Sequence, residues 1–158
     1  MGRFVDLRIT ICPKRHVRID PGGVEVMAPS KEEAYGLLRE YLKAMLEERA
    51  SSLTEEFSAK LGVKPRGLRV VVRKRAWASL TGGNIITMAL KTLALPPEYI
   101  RYVVAHEMAH LVRRSHDRIA RALTKALVGL DIRPEELAKY EFLISRCAAW
   151  EEILRTRK

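Results

Sequence analysis

The 158-residue chain lacks the features of a disulfide-stapled or membrane-spanning protein. Its two cysteines, Cys12 and Cys147, are too few to staple a domain of this size and too far apart to form a metal-binding CxxC pair. No run approaches the ~20 apolar residues that a membrane helix requires. The start of the chain also lacks the charged and then apolar segments of a secretory leader. We therefore expect a soluble protein that works in the cytoplasm.

Side-chain amides and, over one long segment, acidic residues are also scarce. Asn84 is the only asparagine or glutamine, a bias typical of heat-adapted proteins, so we expect a thermophilic source. Lys and Arg number 29 against 19 Asp and Glu, a net charge of +10. No acid lies between Phe57 and Pro97. The excess of positive charge is therefore regional, in a chain whose length and composition fit one domain over residues 1–158.

The first part of the chain, residues 3–62, predicts strands followed by one long helix. Alternating apolar residues over 3–28, with a Pro-Gly-Gly turn, predict an N-terminal β-meander. Ser30 and Glu33 then match a capping box, in which Ser30 caps the first backbone N–H groups and Glu33 reaches back. Apolar residues at three-and-four spacing predict a helix that ends at Gly62.

The remainder predicts a small sheet followed by helices, and hence an α+β fold. A basic strand over 68–74 and a hairpin over 77–88 indicate a small mixed or antiparallel sheet within residues 68–88. Prolines and capping residues predict helices within residues 97–156, namely Pro97 to Arg113, Ser115 or Asp117 to Leu130, and Pro134 to about Arg155.

The most informative segment is the H-E-x-x-H sequence at residues 106–110. On a helix, four residues turn the chain by ~400°, so His106 and His110 project from nearly the same side, ~6 Å apart along the axis. Two imidazoles at this spacing can bind one metal ion. Glu107 points ~100° away from His106, which places its carboxylate to act on a water rather than as a third ligand of the same pair.

A catalytic zinc site commonly uses three protein ligands, so a third ligand is needed. His116 reaches the same point if the helix breaks near Arg114, where Ser115 and Asp117 favour a cap over a helix interior. The other candidate is Glu151, a carboxylate within the apolar stripe of the last predicted helix. An ion pair with an arginine is the non-catalytic interpretation of Glu151.

Several longer segments add to this pattern: Arg75-Ala76-Trp77-Ala78-Ser79, Gly83-Asn84-Ile85-Ile86-Thr87-Met88, Leu95-Pro96, and the stretch from Tyr102 to Leu111. Together they resemble the YgjP-like metallopeptidases, relatives of the SprT and WLM groups of zinc peptidases. The resemblance covers most of the chain and implies a single metallopeptidase-like domain. It also implies His116 as the third ligand, because Ser115-His116-Asp117 falls on the family's histidine element. The helix predicted from Pro134 looks like an extension.

The resulting hypothesis is a zinc-dependent metallopeptidase. His106, His110 and His116 bind Zn²⁺, and Glu107 is the general base that takes a proton from the metal-activated water. The strand from Asn84 to Met88 is predicted as the sheet edge on which an extended peptide substrate pairs. Four side chains are candidate donors to the oxyanion, between which spacing alone does not choose: Tyr102, Arg113, Arg114 and Tyr140.

Two alternatives come from other classes of function. Arg69, Arg73 and Arg75 occupy odd positions of the basic strand, and a row of cations on one face suits the phosphates of a nucleic acid. A solvated strand face is the non-functional interpretation of the same row. A DNA-associated protease would combine both activities, as SprT-like relatives cleave proteins on DNA. The remaining alternative is a structural metal site.

Overall fold

The computed structural model describes residues 5–130 and 132–155. The chain has the predicted α+β architecture: a three-stranded sheet, a long helix, a second three-stranded sheet and C-terminal helices. The predicted ends at residues 3, 4 and 156 lie outside the described residues. The first half comprises strands β1 (Leu7–Ile11), β2 (His16–Asp20) and β3 (Gly23–Ala28) and helix α1 (Lys31–Leu61). None of the helices in the described ranges is long and apolar enough to cross a membrane.

The N-terminal strands form a mixed sheet, so the predicted meander is wrong. Their order is β1-β3-β2, with β1 parallel and β2 antiparallel to β3. In a meander β2 would lie in the centre. Instead β3 occupies that position, because it carries the fully buried residues Val26 and Ala28, whereas β1 and β2 keep alternate side chains exposed or half-buried. Residues buried in this way favour the central strand, which is hydrogen-bonded on both edges.

Helix α1 begins and ends at the predicted residues. The Glu33 N–H donates to Ser30 Oγ at 3.1 Å, and Gly62 closes the helix in the left-handed region at φ 68°. The Glu33 carboxylate, predicted to reach back, is instead bonded to Arg15 at 2.7 Å. One face of α1 is buried against both sheets and the helices that follow.

The second sheet consists of β4 (Gly67–Val71), β5 (Ala78–Leu80) and β6 (Ile85–Ala89), in the order β4-β6-β5. The predicted β5–β6 hairpin is confirmed, and β4 pairs with β6 in parallel. Because β6 lies between the other two strands, the prediction that Asn84 to Met88 forms a sheet edge is wrong. Ile86, Met88 and Ala89 are fully buried, which explains why β6 is central. The short strand β5 forms one edge instead.

In the described part of the C-terminal half, a 3₁₀ helix (Leu90–Ala94) is followed by four α-helices, which are α2 (Pro97–Val112), α3 (Arg118–Val128), α4 (Pro134–Ser145) and α5 (Ala148–Ile153). The single last helix predicted to Arg155 is therefore divided. Cys147 is extended (φ −91°, ψ 112°), and the break turns α5 onto α1. There Arg39 of α1 donates to the carbonyl oxygen of Ile153 at 2.7 Å.

Helix α2 is held against α1 by apolar packing and by one charged cluster. Phe57 of α1 is fully buried, and the Arg101 guanidinium lies 4.8 Å from the centre of its ring. The same guanidinium donates two 2.6 Å hydrogen bonds to the Glu56 carboxylate, which also accepts one from Lys60 at 2.6 Å. These bonds from Arg101 and Lys60 lower the pKa of Glu56 from 4.5 to about 2. The cluster therefore couples the orientation of α2 to an ionised carboxylate.

The Glu56 cluster predicts how stability responds to acid. A carboxyl group whose pKa is lowered by folding stabilises the fold above its unfolded pKa and loses that effect as the pH falls through its folded pKa. The free energy of unfolding of the wild type should therefore decline between pH 4.5 and about 2. Glu56→Gln should flatten this part of the profile, as measured by urea denaturation at a series of pH values. A Glu56→Gln profile parallel to the wild type would contradict the coupling.

An ion pair between a buried lysine and a half-exposed glutamate holds α4 against the rest of the protein. The side chain of Lys91, in the 3₁₀ helix, is 1 % exposed, and its ammonium donates to the Glu141 carboxylate of α4 at 2.6 Å and to the Lys74 carbonyl oxygen. The ammonium also lies 4.6 Å from the centre of the Trp77 ring. Since a buried charge is costly without a partner, Lys91 requires α4 to stay in place.

Glu141→Ala tests this attachment. The substitution leaves the buried Lys91 ammonium without its carboxylate. Because Glu141 is 48 % exposed, we expect the free energy of unfolding to fall by about 2 kcal/mol, less than for a fully buried pair. Glu40→Ala is the matched control, because Glu40 is 69 % exposed in its pair with Lys43 and should cost less than about 1 kcal/mol. Urea denaturation measures both losses. Equal losses would show that the Lys91–Glu141 pair does not hold α4.

Candidate metal centre

Helix α2 carries the first two histidines of the site. Pro97 occupies its first turn, where a missing N–H costs nothing, and a buried apolar face fixes the rotation of the helix in the core. His106 and His110 lie one turn apart, and their Nε2 atoms are 3.2 Å apart. Two nitrogens 2.0–2.1 Å from a tetrahedral zinc are separated by about 3.3 Å. The spacing of the two rings therefore suits a shared metal ion.

His116 joins these rings because α2 ends at Val112. Arg113 is extended (φ −141°, ψ 105°), as the predicted break requires. The Asp117 carboxylate then fixes the turn: it accepts hydrogen bonds from Arg113 Nε and Ser115 Oγ at 2.7 Å each and caps α3. The centre of the His116 ring lies 4.4 Å from that of His110 and 5.4 Å from that of His106.

The three rings offer nitrogen atoms that fit one metal ion. The candidate ligand atoms of His106, His110 and His116 all lie within 4.8 Å of one another. His110 Nδ1 is 3.0 Å from the Arg113 carbonyl oxygen, and donation to that oxygen leaves Nε2 free to bind a metal. Burial, with the neighbouring His110 and His116, lowers the pKa of His106 to about 4, so its ring is neutral near pH 7. Neutral imidazoles are the form that binds metals.

Glu107 is buried beside this cluster, with 7 % of its surface exposed. Burial raises the pKa of its carboxyl group, while a hydrogen bond from the Leu80 backbone N–H and the positive charge of Arg73 act in the opposite direction. Leu80 lies in β5, so α2 and the sheet edge meet at this carboxylate. Glu107 is therefore in a setting that tunes its proton affinity, which is what a general base requires.

Arg73 is a part of the site that sequence reasoning placed differently. It was predicted to join Arg69 and Arg75 in a row facing phosphates, but β4 ends at Val71, before Arg73. Arg73 is half-buried, and it donates to Ser79 Oγ and to the Thr87 carbonyl oxygen at 2.9 Å each. Burial lowers the pKa of its guanidinium and Glu107 raises it.

Arg69 shares this face of the sheet and donates to Thr87 Oγ1 at 3.1 Å. Two of the three arginines are thus bonded to the sheet. Because β4 ends before Arg73 and Arg75, the prediction that one strand presents all three arginines is wrong, whereas the binding of a nucleic acid stays a prediction. The interaction of Arg73 with Glu107 depends on tertiary structure, and no local pattern indicates it.

A cavity of about 740 Å³ opens over the cluster, with the three histidines, Glu107 and all of β5 in its lining. Of the four predicted oxyanion donors, Tyr102 and Arg114 line this cavity. The Tyr102 ring stacks on His106 with their centres 6.0 Å apart. The other two are placed elsewhere: Arg113 is bonded to Asp117, and Tyr140 packs on Tyr99.

Asn84, the single side-chain amide, positions one of these donors. Its Oδ1 accepts a 2.8 Å hydrogen bond from Arg114 Nη2. Asn84 has a φ of 59° in the turn that joins β5 to β6, a conformation that asparagine tolerates better than most residues. The turn is predicted from the sequence, but no local pattern indicates that the Asn84 side chain contacts the loop after α2.

Glu151, the alternative third ligand, is not brought to the histidines. It lies exposed on α5, which packs against α1. Within residues 5–130 and 132–155, the group able to hold a metal consists of His106, His110 and His116.

Comparison with known protein families gives a match for this chain. The family model of the YgjP-like metallopeptidase domain matches residues 6–128, which include every histidine of the cluster and Glu107. No curated protein and no solved structure matches the chain. Because the matched region covers well over half of the sequence, the chain belongs to the YgjP-like metallopeptidase domain family.

Proposed function

We propose that this metallopeptidase domain is a zinc-dependent peptidase in which His106, His110 and His116 bind the metal and Glu107 is the general base. The observation that carries the proposal is the meeting of three imidazole nitrogens within 4.8 Å, beside a buried carboxylate, in an open cavity. Three histidines leave a fourth position of a tetrahedral ion to a water or substrate. A purely structural zinc site would use all four positions for protein ligands.

When bound, zinc lowers the pKa of a coordinated water toward about 7 and polarises the carbonyl of the peptide bond. Glu107 then has two tasks. Its carboxylate accepts the proton that the attacking water loses, and it delivers this proton to the nitrogen of the leaving amine. The Leu80 N–H and the positive charge of Arg73 oppose the rise in the pKa of Glu107 that burial causes.

The peptide substrate is proposed to pair with β5 in place of β6. Ala89 N–H donates to the Trp77 carbonyl oxygen and Thr81 N–H to that of Ile85, and Ser79 pairs with Thr87. In an antiparallel ladder, the residues of β5 that lie between these hydrogen-bonded positions direct their backbone N–H and C=O groups away from β6. Those residues are Ala78 and Leu80, both in the cavity lining.

Leu80 N–H is used by Glu107, so Ala78 offers the free backbone groups to an extended substrate. Tyr102 and Arg114 remain the candidate donors to the carbonyl oxygen.

Removal of one imidazole tests the metal centre. His110→Ala should abolish zinc binding, because two ligands alone hold the ion weakly. His16→Ala is the matched control, since His16 lies exposed on β2, and it should retain about one zinc per chain. Elemental analysis of the purified proteins measures the content. If wild-type protein purified with zinc and dialysed carries none, the proposal is wrong.

Glu107→Gln separates binding from chemistry. The amide has nearly the same shape but cannot accept the proton, so zinc should be retained while peptide hydrolysis falls by at least about 100-fold. Glu151→Gln serves as the control, because Glu151 is exposed on α5, and its activity should equal that of the wild type. Hydrolysis of a casein-derived peptide mixture can be followed by mass spectrometry. Full activity of Glu107→Gln would exclude it as the base.

A further inference from the structure

A second cavity, of about 590 Å³, adjoins the metal centre on the side of α4. Its lining consists of Trp77, Leu137, Ala138, Glu141, Phe142 and Ser145. Trp77 and Leu137 also line the cavity over the histidines, so the two spaces share a wall. All of the lining except Trp77 comes from α4, which lies beyond the family match to residues 6–128. We call this space the α4 cavity.

The walls of the α4 cavity are held in place. The ion pair between Lys91 and Glu141 fixes the middle of α4. Near its start, Glu136 accepts a 2.7 Å hydrogen bond from the Tyr99 hydroxyl of α2. On the opposite side, the Trp77 carbonyl oxygen accepts hydrogen bonds from Ala89 N–H at 2.7 Å and Thr92 Oγ1 at 2.8 Å. The backbone of these walls is therefore preformed, and the space between them is open to solvent, since most of the α4 residues that line it are exposed.

The lining offers apolar surface in which the polar groups already have partners. The Glu141 charge is opposed by the Lys91 ammonium, and the Ser145 hydroxyl donates to the Phe142 carbonyl oxygen at 2.8 Å. Phe142 is 55 % exposed, and the Arg146 guanidinium lies 4.6 Å from the centre of its ring. The cavity therefore has little to offer a charged group and much to offer a large apolar one.

We propose that the α4 cavity is a substrate subsite that binds a large aliphatic or aromatic side chain of the peptide, close to the bond that is hydrolysed. The proposal rests on the peptidase function proposed above. Its position follows from β5: Trp77 immediately precedes Ala78, so a peptide paired along this edge runs past Trp77 to the entrance of the cavity. Burying an apolar side chain there supplies binding energy and selects the substrate.

The test measures hydrolysis of a set of synthetic peptides by the zinc-loaded protein. The peptides are identical except at one residue next to the cleaved bond, which is Phe, Leu, Ala, Asp or Lys, and each side of the bond is varied in turn. The wild type should cleave the Phe or Leu peptide of one series with a kcat/KM at least about tenfold above that of the Ala peptide, which is the scale of selection by an apolar pocket.

Ala138→Trp fills the cavity from an exposed position of α4. It should reduce the advantage of Phe and Leu over Ala to less than about threefold. Lys139→Trp is the matched control, because Lys139 is exposed on the same helix but does not line the cavity. It should keep the wild-type preference. Phe142→Ala, which removes an exposed ring, should also weaken the preference.

The outcomes separate this inference from the peptidase function. If no peptide is cleaved, the peptidase function fails and the subsite falls with it. If peptides are cleaved without an apolar preference, or if Ala138→Trp behaves like Lys139→Trp, the subsite is overturned and the peptidase function stands. Thermal unfolding of each variant identifies a loss of activity that is due to misfolding.

Discussion

The arrangement of this protein depends on where α2 stops. If the helix continued past Val112, His116 would face away from His110, because six residues turn a helix by ~600°. The extended Arg113 reverses the chain, and the Asp117 carboxylate holds the reversal through hydrogen bonds from Arg113 and Ser115. These bonds keep the pKa of Asp117 well below its usual range, so the carboxylate stays ionised. The carbonyl oxygen of Arg113 also faces His110 Nδ1, so the same reversal orients a second ring.

The electrostatics around the cluster follow from burial. Burial favours the neutral forms of His106 and Glu107. A neutral imidazole suits a metal ligand, and a raised pKa makes the Glu107 carboxylate a stronger base. A carboxyl group that remained protonated could not accept a proton. The Leu80 N–H and the neighbouring Arg73 oppose the rise in the pKa of Glu107. Arg73 is itself positioned by hydrogen bonds to Ser79 and Thr87. The second sheet thus takes part in the chemistry of α2.

The features that could be predicted from the sequence are local. The capping serine of α1, its closing glycine, the β5–β6 hairpin and the break after α2 each depend on a few neighbouring residues. The order of strands was not predictable in the same way, because alternation identifies a strand but not its neighbours. The central positions of β3 and β6 reflect competition for the core among all strands. The break at Cys147 likewise depends on the docking of α5 against Arg39, more than 100 residues away in the chain.

Tertiary contacts, rather than local sequence patterns, also determine how α4 relates to the domain. The residues that would bind the metal and move the proton lie within the region that matches the family, whereas α4 follows it. Yet α4 is not a detachable addition, because Lys91 belongs to the matched region and is a buried cation whose carboxylate partner, Glu141, lies on α4. Trp77 packs beside that same ammonium and separates the two cavities. A helix bound in this way can shape the space beside the histidines without contributing a ligand to them, so substrate selection could change while the metal centre stays the same.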